Sequence, residues 1–433
     1  METTLTERRI SPARTLLGSL QLPGDKSISH RYGMLAAYAD GSSSFTNFST
    51  GADCASTLSC MEALGATVTR DKDGSVEVVG RGGHFDAPTF ALDCGNSGST
   101  MRMASGLVAG QDGEYTLIGD PSLSRRPMER IRKPLTAMGA RIALTDGHAP
   151  IHIEGGNLKG IDYTTTIPSA QVKTSLLFAG LKAKGSTTVR ESLRTRDHGE
   201  LALKAFGAKI ERTANSVTLA EGAELHAINA AIPGDISSAA FFLCAAALFP
   251  DSSLVLNKLG LNPTRATLLD ILTTLGARVN VLDLEEKHGE LSGTVHVSAP
   301  KEGLGTVDIC GSLSPQLIDE IPVLAAIAPY THGGIRIRDA RELRVKESDR
   351  IALTVQNLRA MGAEVTEHED GMDIPGNQKL HGATIDPAGD HRIAMAFAIA
   401  ALKAEGDTNI LGAEAASISF PEFWQILDSI TER

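Results

Sequence analysis

The sequence contains little cysteine, few aromatic side chains and no long apolar run. Five cysteines occur among 433 residues and none forms a Cys-x-x-Cys pair, so neither a disulfide framework nor a zinc site is expected. Aromatic residues make up only 4% of the chain, which leaves little surface for stacking. The longest apolar stretch, residues 239–249, is shorter than the ~20 residues that a membrane-spanning helix needs.

The N-terminal segment also lacks the features of a secretion signal. It carries Glu2 and Glu7 and has no apolar core, so it does not resemble a signal peptide. Together with the odd number of cysteines, this predicts a cytoplasmic protein with reduced thiols.

The chain has fewer positively charged than negatively charged side chains. The 41 Lys and Arg residues are outnumbered by 52 Asp and Glu, which gives a formal net charge of −11 at pH 7. This balance argues against a protein that binds nucleic acid or a membrane surface. It does not exclude small anionic substrates, because a local cluster of cations can oppose the net charge.

An internal repeat with a period of about 70 residues organises the chain. Its recurring phrase has two apolar residues at helical spacing, then Gly-Ala, then a β-branched residue two positions later, which is typical of a helix that ends at a glycine before a strand. The glycines of this phrase are Gly65, Gly139, Gly207, Gly276 and Gly362.

A second series of six segments lies between these glycines. Each segment is a polar, Gly- or Ser-rich turn that opens an apolar, Ala-rich helix, and the pattern predicts helices buried inside their domain. The free N–H groups and helix dipole at each start favour anions. The segments open at Gly24, Gly95, Pro168, Gly234, Ser312 and Gly389.

Three segments fall in each half of the sequence, which predicts an α/β protein of two pseudo-symmetric domains. Residues 24–233 would form an inserted domain of three repeats. Residues 1–23 and 234–433 would form a discontinuous domain, in which an N-terminal strand at residues 16–22 completes a sheet. The helix openings could then point into a cleft between the two domains.

Several helix openings carry side chains suited to anions. Lys26, Ser27 and Arg31 begin the first buried helix, and a compact turn contains Asn96 and Gly98. Each motif taken alone could equally be a helix cap. The recurrence of such side chains at several helix openings favours anion binding. Further members of this set are Arg102, Arg125, Arg126, Ser169, Ala170, Gln171, Lys173 and Arg196.

The second half adds carboxylates to the cations. Lys346, Glu347 and Arg350 would share one helical face if a helix began within residues 344–350. Asp319 precedes Pro322, which is tolerated in a first helical turn, and Arg392 follows the last helix opening. Carboxyl groups among cations suit acid–base chemistry on a polyanionic substrate, although solvated charge pairs would give a similar pattern.

Motifs for other chemistries are missing. The 12 histidines show no metal-ligand spacing, and neither a dinucleotide-binding Gly-x-Gly-x-x-Gly, a Walker loop nor a Gly-x-Ser-x-Gly motif occurs. The sequence therefore predicts no metal site and gives no support for nicotinamide-dinucleotide, P-loop or serine-hydrolase chemistry.

Eight motifs follow one another over essentially the whole chain: LPGDKSISHR, GNSG, RPM, PSAQVK, TRDH, IDEIPVLA, LRVKESDR and GDHRIAMA. In this order they resemble one enzyme family, 5-enolpyruvylshikimate-3-phosphate (EPSP) synthase. The resemblance implies two domains of inside-out α/β barrel type, each built from three βαβαββ units. GDKSISHR and RPM are most similar to the second bacterial class of this family.

The resemblance also implies a reaction. The family transfers the enolpyruvyl group of phosphoenolpyruvate to the 5-hydroxyl of shikimate 3-phosphate in aromatic amino-acid biosynthesis, by addition and elimination, without a cofactor. The protein would then be a monomer with these two small-molecule substrates as partners.

Matching motifs carry family roles onto this chain. The catalytic residues would be Asp319, Glu347 and Lys26. Asp319 would be the base at the 5-hydroxyl, Glu347 would exchange a proton with the methylene carbon, and Lys26 would lie near both substrates. Shikimate 3-phosphate would be held by Lys26, Ser27, Arg31, Ser169, Ala170, Gln171, Arg196, Asp319 and Lys346. Phosphoenolpyruvate would be held by Lys26, Asn96, Gly98, Arg126, Gln171, Arg350 and Arg392.

Two positions bear on inhibition and on departures from the family. Some glyphosate-tolerant members have Ala where this chain has Gly98, so we expect glyphosate, which occupies the phosphoenolpyruvate site, to inhibit this protein. Some members carry a Lys before the final Phe-Pro, whereas this chain has Ile418 and Ser419 there.

Two alternatives remain open from the sequence. UDP-N-acetylglucosamine enolpyruvyl transferase would share the fold and donor, but usually has a reactive Cys in the loop matching residues 119–128, where this chain has none. A non-catalytic anion-binding protein would not need the acid–base set of Asp319, Lys346 and Glu347.

Overall fold

The computed structural model describes residues 6–71 and 74–433, which fold into two compact units. The first unit contains the described chain up to Pro23, together with Pro233–Glu286 and Leu291–Arg433. The second unit contains Gly24–Ile232 and the short segment Lys287–Glu290. The sequence offered no signal that Lys287–Glu290 would group with the second unit.

Short strands and helices alternate along the described chain. The strands are β1 (Glu7–Ile10), β2 (Thr15–Gln21), β3 (Ser42–Thr46), β4 (Thr67–Arg70), β5 (Val76–Val79), β6 (Leu92–Asp93), β7 (Gly113–Ile118), β8 (Arg141–Thr145), β9 (His148–Gly155), β10 (Asp162–Thr164), β11 (Thr187–Arg190), β12 (Ile210–Arg212), β13 (Ser216–Leu219), β14 (Asn229–Ala231), β15 (Ser253–Gly260), β16 (Arg278–Lys287), β17 (Glu290–Ser298), β18 (Thr306–Ile309), β19 (Gly334–Ile337), β20 (Thr366–His368), β21 (Gly371–Ile374), β22 (Thr384–Ile385), β23 (Thr408–Leu411) and β24 (Thr431–Glu432). The α-helices are α1 (Lys26–Tyr38), α2 (Ala52–Ala63), α3 (Gly98–Ala109), α4 (Glu129–Ala137), α5 (Ala170–Gly180), α6 (His198–Ala205), α7 (Ile236–Leu248), α8 (Thr267–Thr274), α9 (Leu313–Gln316), α10 (Ile321–Ile327), α11 (Arg350–Ala360), α12 (His391–Ala401) and α13 (Phe423–Ile430).

The second unit contains three four-stranded sheets of one topology. Their strand orders are β14-β3-β5-β4, β6-β7-β9-β8 and β10-β11-β13-β12. In each sheet the first two strands are parallel and the remaining pairs are antiparallel. The run β6-α3-β7-α4-β8-β9 is one βαβαββ unit, as the family resemblance implies.

One sheet of the first unit, β18-β19-β21-β20, repeats this topology. The other two sheets, β16-β17-β15-β2-β24 and β1-β23-β22, contain strands from both ends of the chain. The N-terminal strand β2 lies parallel to β15, and β1 lies antiparallel to β23. The N-terminal segment therefore supplies strands to two repeats of this unit.

Each Ala-rich opening leads into a buried helix, as the sequence predicts. All 13 residues of α7 and all 11 residues of α12 are buried, because small side chains on every face allow close packing. The opening at Ser312 differs, since it forms two short helices, α9 and α10, in place of one. Pro322 has no N–H to bond the carbonyl of Ile318, so a helix must restart near it.

The five repeat glycines end helices in the left-handed conformation that the sequence predicts. Their φ angles lie between 87° and 112°, a region that side chains with a Cβ rarely adopt. These glycines thus set the helix-to-strand turn of five repeats.

Candidate active site

The start of α1 holds the first cations of the second unit. Asp25 caps α1 by accepting a hydrogen bond from the Ile28 N–H at 2.9 Å. The Lys26 Nζ lies 2.8 Å from Oδ2 of Asp53, a carboxylate that the sequence did not single out. This pairing fixes the ammonium group beside the first turn of the helix.

Arg31 lies one turn further along α1 and is buried. Its Nη1 donates to the Ser27 carbonyl at 2.8 Å and its Nη2 donates to Oγ1 of Thr174 at 3.1 Å. Burial lowers the pKa of Arg31 to about 10, while Glu200, Asp25 and Glu290 act in the opposite direction. Arg31 therefore stays charged at neutral pH and is able to bind an anion.

Arg196 contributes to the same electrostatic environment. Its charge lowers the pKa of Arg31, which places the two guanidinium groups within electrostatic range of each other. Two like charges at close range are stabilised when an anion binds between them.

The start of α3 brings Asn96, Gly98 and Arg126 together. Nη2 of Arg126 donates to Oδ1 of Asn96 at 2.9 Å, and Nδ2 of Asn96 donates to Oδ2 of Asp120 at 2.6 Å. A Cβ on Gly98 would lie 3.1 Å from Nη1 of Arg126. The glycine thus leaves room for the guanidinium group over the N-terminus of α3.

Arg102 is a further member of this set that the sequence noted without assigning a role. Its Nη1 donates to Oε1 of Gln171 at 2.7 Å, and Nε2 of Gln171 donates to Oγ of Ser99 at 2.9 Å. These bonds join the starts of α3 and α5. Arg102 lies four residues, or one helical turn, after Gly98. This spacing is the sequence signal that places Arg102 near the start of α3.

The start of α5 departs from the sequence prediction in one respect. Ser169 caps the helix by accepting from the Val172 N–H at 3.4 Å, and Ala170 is its first residue. The Lys173 ammonium, which the motif presented as an anion ligand, instead pairs with Glu191 and Glu200 inside the unit. A cation this deeply buried needs carboxylate partners of its own.

In the first unit, the segment 344–350 is not helical throughout. A 3₁₀ turn covers Arg341–Val345, and α11 begins only at Arg350, where Asp349 accepts from the Ala352 N–H at 3.0 Å. Lys346 and Glu347 therefore lie in the loop before the helix. The carboxylate cap at Asp349 explains why the helix starts late.

Arg350 lies at the centre of this second set, and its side chain is only 1% exposed. Its Nε is 2.8 Å from Oδ2 of Asp390, and its Nη2 is 2.6 Å from Oε2 of Glu347. Burial lowers the pKa of Arg350, but Asp390, Glu347 and Asp319 together outweigh burial and raise it. Arg350 is thus a permanent cation that fixes the Glu347 carboxyl group.

Asp319 lies among three cations. Its Oδ1 is 3.6 Å from Nζ of Lys346, 3.7 Å from Nη1 of Arg350 and 4.0 Å from Nε of Arg392. The Asp319 carbonyl also accepts from Nη1 of Arg392 at 3.0 Å. Burial lowers the pKa of Lys346 against the opposing effect of Asp319 and Glu347.

The structure thus brings the predicted residues together as two sets, one in each unit. The set in the second unit is rich in cations and N–H donors and suits phosphate and carboxylate groups. The set in the first unit adds two carboxyl groups, Asp319 and Glu347, each in contact with cations, which suits proton transfer.

No group of three or more His, Cys, Asp or Glu side chains that could hold a metal ion occurs in residues 6–71 and 74–433. No helix in that part of the chain is long and apolar enough to cross a membrane.

Known proteins are similar to this chain in sequence and fold over nearly their full length. The family model described as EPSP synthase (3-phosphoshikimate 1-carboxyvinyltransferase) matches residues 10–427. A 3-phosphoshikimate 1-carboxyvinyltransferase of Koribacter versatilis is 60% identical over 425 residues, covering 98% of this chain and 99% of the relative. One from Bacillus cytotoxicus is 44% identical over 419 residues, covering 96% and 98% of the two chains. A solved structure of EPSP synthase from Acinetobacter baumannii has a TM-score of 0.86 at 39% identity and covers 99% of this chain and 98% of that one. The family model, the sequence identities and the fold similarity all indicate the same family, and the chain belongs to the EPSP synthase family.

Proposed function

We propose that this protein transfers the enolpyruvyl group of phosphoenolpyruvate to the 5-hydroxyl of shikimate 3-phosphate and releases phosphate. The activity is that of a 3-phosphoshikimate 1-carboxyvinyltransferase, the description carried by the matching family model and by relatives up to 60% identical. Both substrates are polyanions, which suits the cations at the helix starts.

Shikimate 3-phosphate is assigned to side chains of both sets. Its phosphate would bind to the guanidinium groups of Arg31 and Arg196, supported by the hydrogen bond from Arg31 to Thr174. The remaining ligands are Lys26, Ser27, Ser169, Ala170, Gln171, Asp319 and Lys346.

Phosphoenolpyruvate is assigned to the Asn96, Gly98 and Arg126 group and to cations of the first unit. The 2.9 Å bond from Arg126 to Asn96 orients two donors at the N-terminus of α3, where the helix dipole favours anions. Lys26, Gln171, Arg350 and Arg392 complete this proposed set.

Addition begins with proton transfers at two carboxyl groups. Asp319 takes the proton of the 5-hydroxyl while the oxygen of that hydroxyl forms a bond to C2 of phosphoenolpyruvate. The carboxylic acid of Glu347 gives its proton to C3, so the methylene becomes a methyl group. The result is a tetrahedral ketal that still carries phosphate.

Elimination then reverses the proton transfer at carbon. The Glu347 carboxylate takes a proton from the methyl group, the C2–C3 double bond forms again, and the bond from C2 to the phosphate oxygen breaks. The cations stabilise the phosphate that leaves.

One observation supports this chemistry most strongly. Arg350, buried and held by Asp390, places its Nη2 2.6 Å from the Glu347 carboxyl group and also lies near Asp319. An acid that protonates carbon must be fixed in position, and this pair of contacts fixes it.

An assay with two acceptors tests the proposal. Phosphate release from phosphoenolpyruvate should require shikimate 3-phosphate and should not occur with UDP-N-acetylglucosamine. Release with UDP-N-acetylglucosamine alone would favour the rival transferase, and release with neither acceptor would favour an anion-binding protein.

Gly98→Ala is expected to weaken phosphoenolpyruvate binding and glyphosate inhibition together. The new Cβ would lie 3.1 Å from Nη1 of Arg126 and would displace that guanidinium group. We expect KM for phosphoenolpyruvate to rise by about tenfold, the loss of roughly one charge-assisted hydrogen bond. Glyphosate should inhibit the native protein competitively and the variant less.

Steady-state kinetics at varied phosphoenolpyruvate and saturating shikimate 3-phosphate measure this effect. Gly305→Ala is a suitable control, because its φ is not positive and the atom nearest to a Cβ there, the carbonyl oxygen of Leu275, lies at an ordinary contact distance of 3.6 Å. Full activity of the native protein at millimolar glyphosate and low phosphoenolpyruvate would contradict the expectation.

Assembly and location remain predictions from the sequence. We expect a monomer that acts in the cytoplasm, and the net charge of −11 argues against nucleic-acid binding.

A further inference from the structure

We propose that Lys173 and Glu191 are positioning residues that hold Arg196 in place to bind the phosphate of shikimate 3-phosphate. The inference rests on the proposed function, which assigns that phosphate to Arg31 and Arg196. It concerns a buried ion cluster of the second unit that contains no assigned substrate ligand.

Lys173 is the central cation of this cluster and is only 1% exposed. Its Nζ lies 2.8 Å from Oε2 of Glu191 and 2.9 Å from Oε1 of Glu200. Removing charges from water costs several kcal/mol per ion, and apolar side chains of similar volume often replace such clusters without loss of stability. Stability alone therefore gives a weak reason for three charged groups here.

The other oxygen of Glu191 holds the loop that leads to Arg196. Oε1 of Glu191 accepts a hydrogen bond from the Thr195 N–H at 3.2 Å and another from the Thr195 hydroxyl. Because Thr195 precedes Arg196 directly, this carboxylate fixes the backbone from which the guanidinium group extends.

The loop is also fixed on the other side of Arg196. Oδ2 of Asp197 lies 2.6 Å from Nη2 of Arg212 and 3.3 Å from Nη2 of Arg194. Arg196 thus extends from a backbone that is anchored at both neighbouring residues. Of these two anchors, the one at Thr195 depends on the buried cluster.

Lys173 connects this loop to the other proposed ligands of the phosphate. It lies in the first turn of α5, where Ser169 is the cap, and the next residue, Thr174, accepts the bond from Arg31. Its second partner, Glu200, raises the pKa of Arg31. One ammonium group therefore links the start of α5, the Arg196 loop and the carboxylate that supports Arg31.

Charge balance indicates what happens when Lys173 is lost. The ammonium offsets two buried carboxylates, Glu191 and Glu200. Without it, these carboxylates would attract Arg31 and Arg196 away from a bound phosphate. The effect should fall on shikimate 3-phosphate affinity, because the proposed acid–base groups lie in the first unit.

Glu191→Gln tests the proposal with little change in shape. We expect KM for shikimate 3-phosphate to rise about tenfold or more, as for the loss of one charge-assisted interaction. Both kcat and KM for phosphoenolpyruvate at saturating shikimate 3-phosphate should change less than about threefold. A purely structural role would lower the melting temperature without this selective change in KM.

The double variant Lys173→Met with Glu191→Gln separates positioning from folding. Glu191→Gln keeps the ion pair of Lys173 with Glu200 and should fold, whereas the double variant leaves the Glu200 carboxylate without its ammonium partner, so its melting temperature is measured beside its KM. If Lys173 and Glu191 act as one unit, the KM of the double variant for shikimate 3-phosphate should be at least that of Glu191→Gln and below the product of two independent effects.

Asp162→Asn is the matched control. It breaks an exposed ion pair in which Nη2 of Arg190 lies 2.7 Å from Oδ2 of Asp162, and Arg190 is the residue next to Glu191. Its KM for shikimate 3-phosphate should remain native. An unchanged KM in folded Glu191→Gln and in the double variant would overturn the inference, whereas absence of native phosphate release with shikimate 3-phosphate would overturn the proposed function itself.

Discussion

Replacing Glu347 with Gln is expected to lower turnover by about a hundred- to ten-thousand-fold, the usual contribution of a positioned acid or base. Gln keeps the shape and the contact with Arg350, whose Nη2 lies 2.6 Å from Oε2 of Glu347. It cannot give a proton to the methylene carbon or take one back. Affinity for shikimate 3-phosphate should therefore remain close to native.

Single-turnover phosphate release and equilibrium binding of shikimate 3-phosphate measure the two quantities separately. Glu369→Gln is the control, because it breaks an exposed pair with Arg341 in the same unit, with an N–O distance of 2.9 Å. Turnover of Glu347→Gln within tenfold of the native rate would remove Glu347 from the acid–base role.

Asp390→Ala is expected to destabilise the first unit strongly and to abolish activity. The Asp390 side chain is 0% exposed, and its Oδ2 lies 2.8 Å from Nε of Arg350. It also accepts from the Ser348 hydroxyl and from the Arg392 N–H, at 2.8 and 2.9 Å. Breaking a buried ion pair costs about 3–5 kcal/mol, because one charge remains buried without its partner.

Urea unfolding measured by tryptophan fluorescence tests this effect locally. Trp424 is the only tryptophan and lies in α13 of the first unit, so its signal reports that unit. Asp373→Asn provides the control, since its partners Arg338 and His368 are partly exposed and we expect a loss below about 1 kcal/mol. Equal urea midpoints for Asp390→Ala and the native chain would show that the pair does not stabilise the unit.

The repeat architecture could be predicted because its signals are local. The glycines at residues such as Gly65 and Gly276 adopt positive φ, and the Ala-rich segments such as α7 are buried, as their composition predicts. Both patterns depend on neighbours within one or two helical turns, which the sequence displays directly.

The partners of the site residues could not be predicted, because they lie far apart in the chain. Asp390 is 40 residues from Arg350, and Asp53 is 27 residues from Lys26. Lys173 is an anion ligand by its motif but pairs with Glu191 in the structure, and the sequence does not show this because Glu191 is 18 residues away. A sequence shows which groups are charged, but the fold decides which opposite charge each one meets.

The late start of α11 reflects a competition that residue spacing does not resolve. The spacing of Lys346 and Arg350 allowed one helical face, but the Asp349 side chain caps the helix at Arg350. The resulting loop places Glu347 against Arg350 across the cap. Glu347 and Arg350 therefore form an ion pair with Glu347 outside the helix.

Turnover in D₂O tests most directly whether enolpyruvyl transfer to shikimate 3-phosphate proceeds by addition and elimination. If Glu347 protonates the methylene carbon and later removes a proton from the methyl group, deuterium should enter the vinyl CH₂ of the product during turnover, as measured by NMR. In the Glu347→Gln variant, turnover and deuterium exchange should fall together, by about a hundred- to ten-thousand-fold. A native protein that forms the product with no deuterium in its CH₂ group would contradict the mechanism.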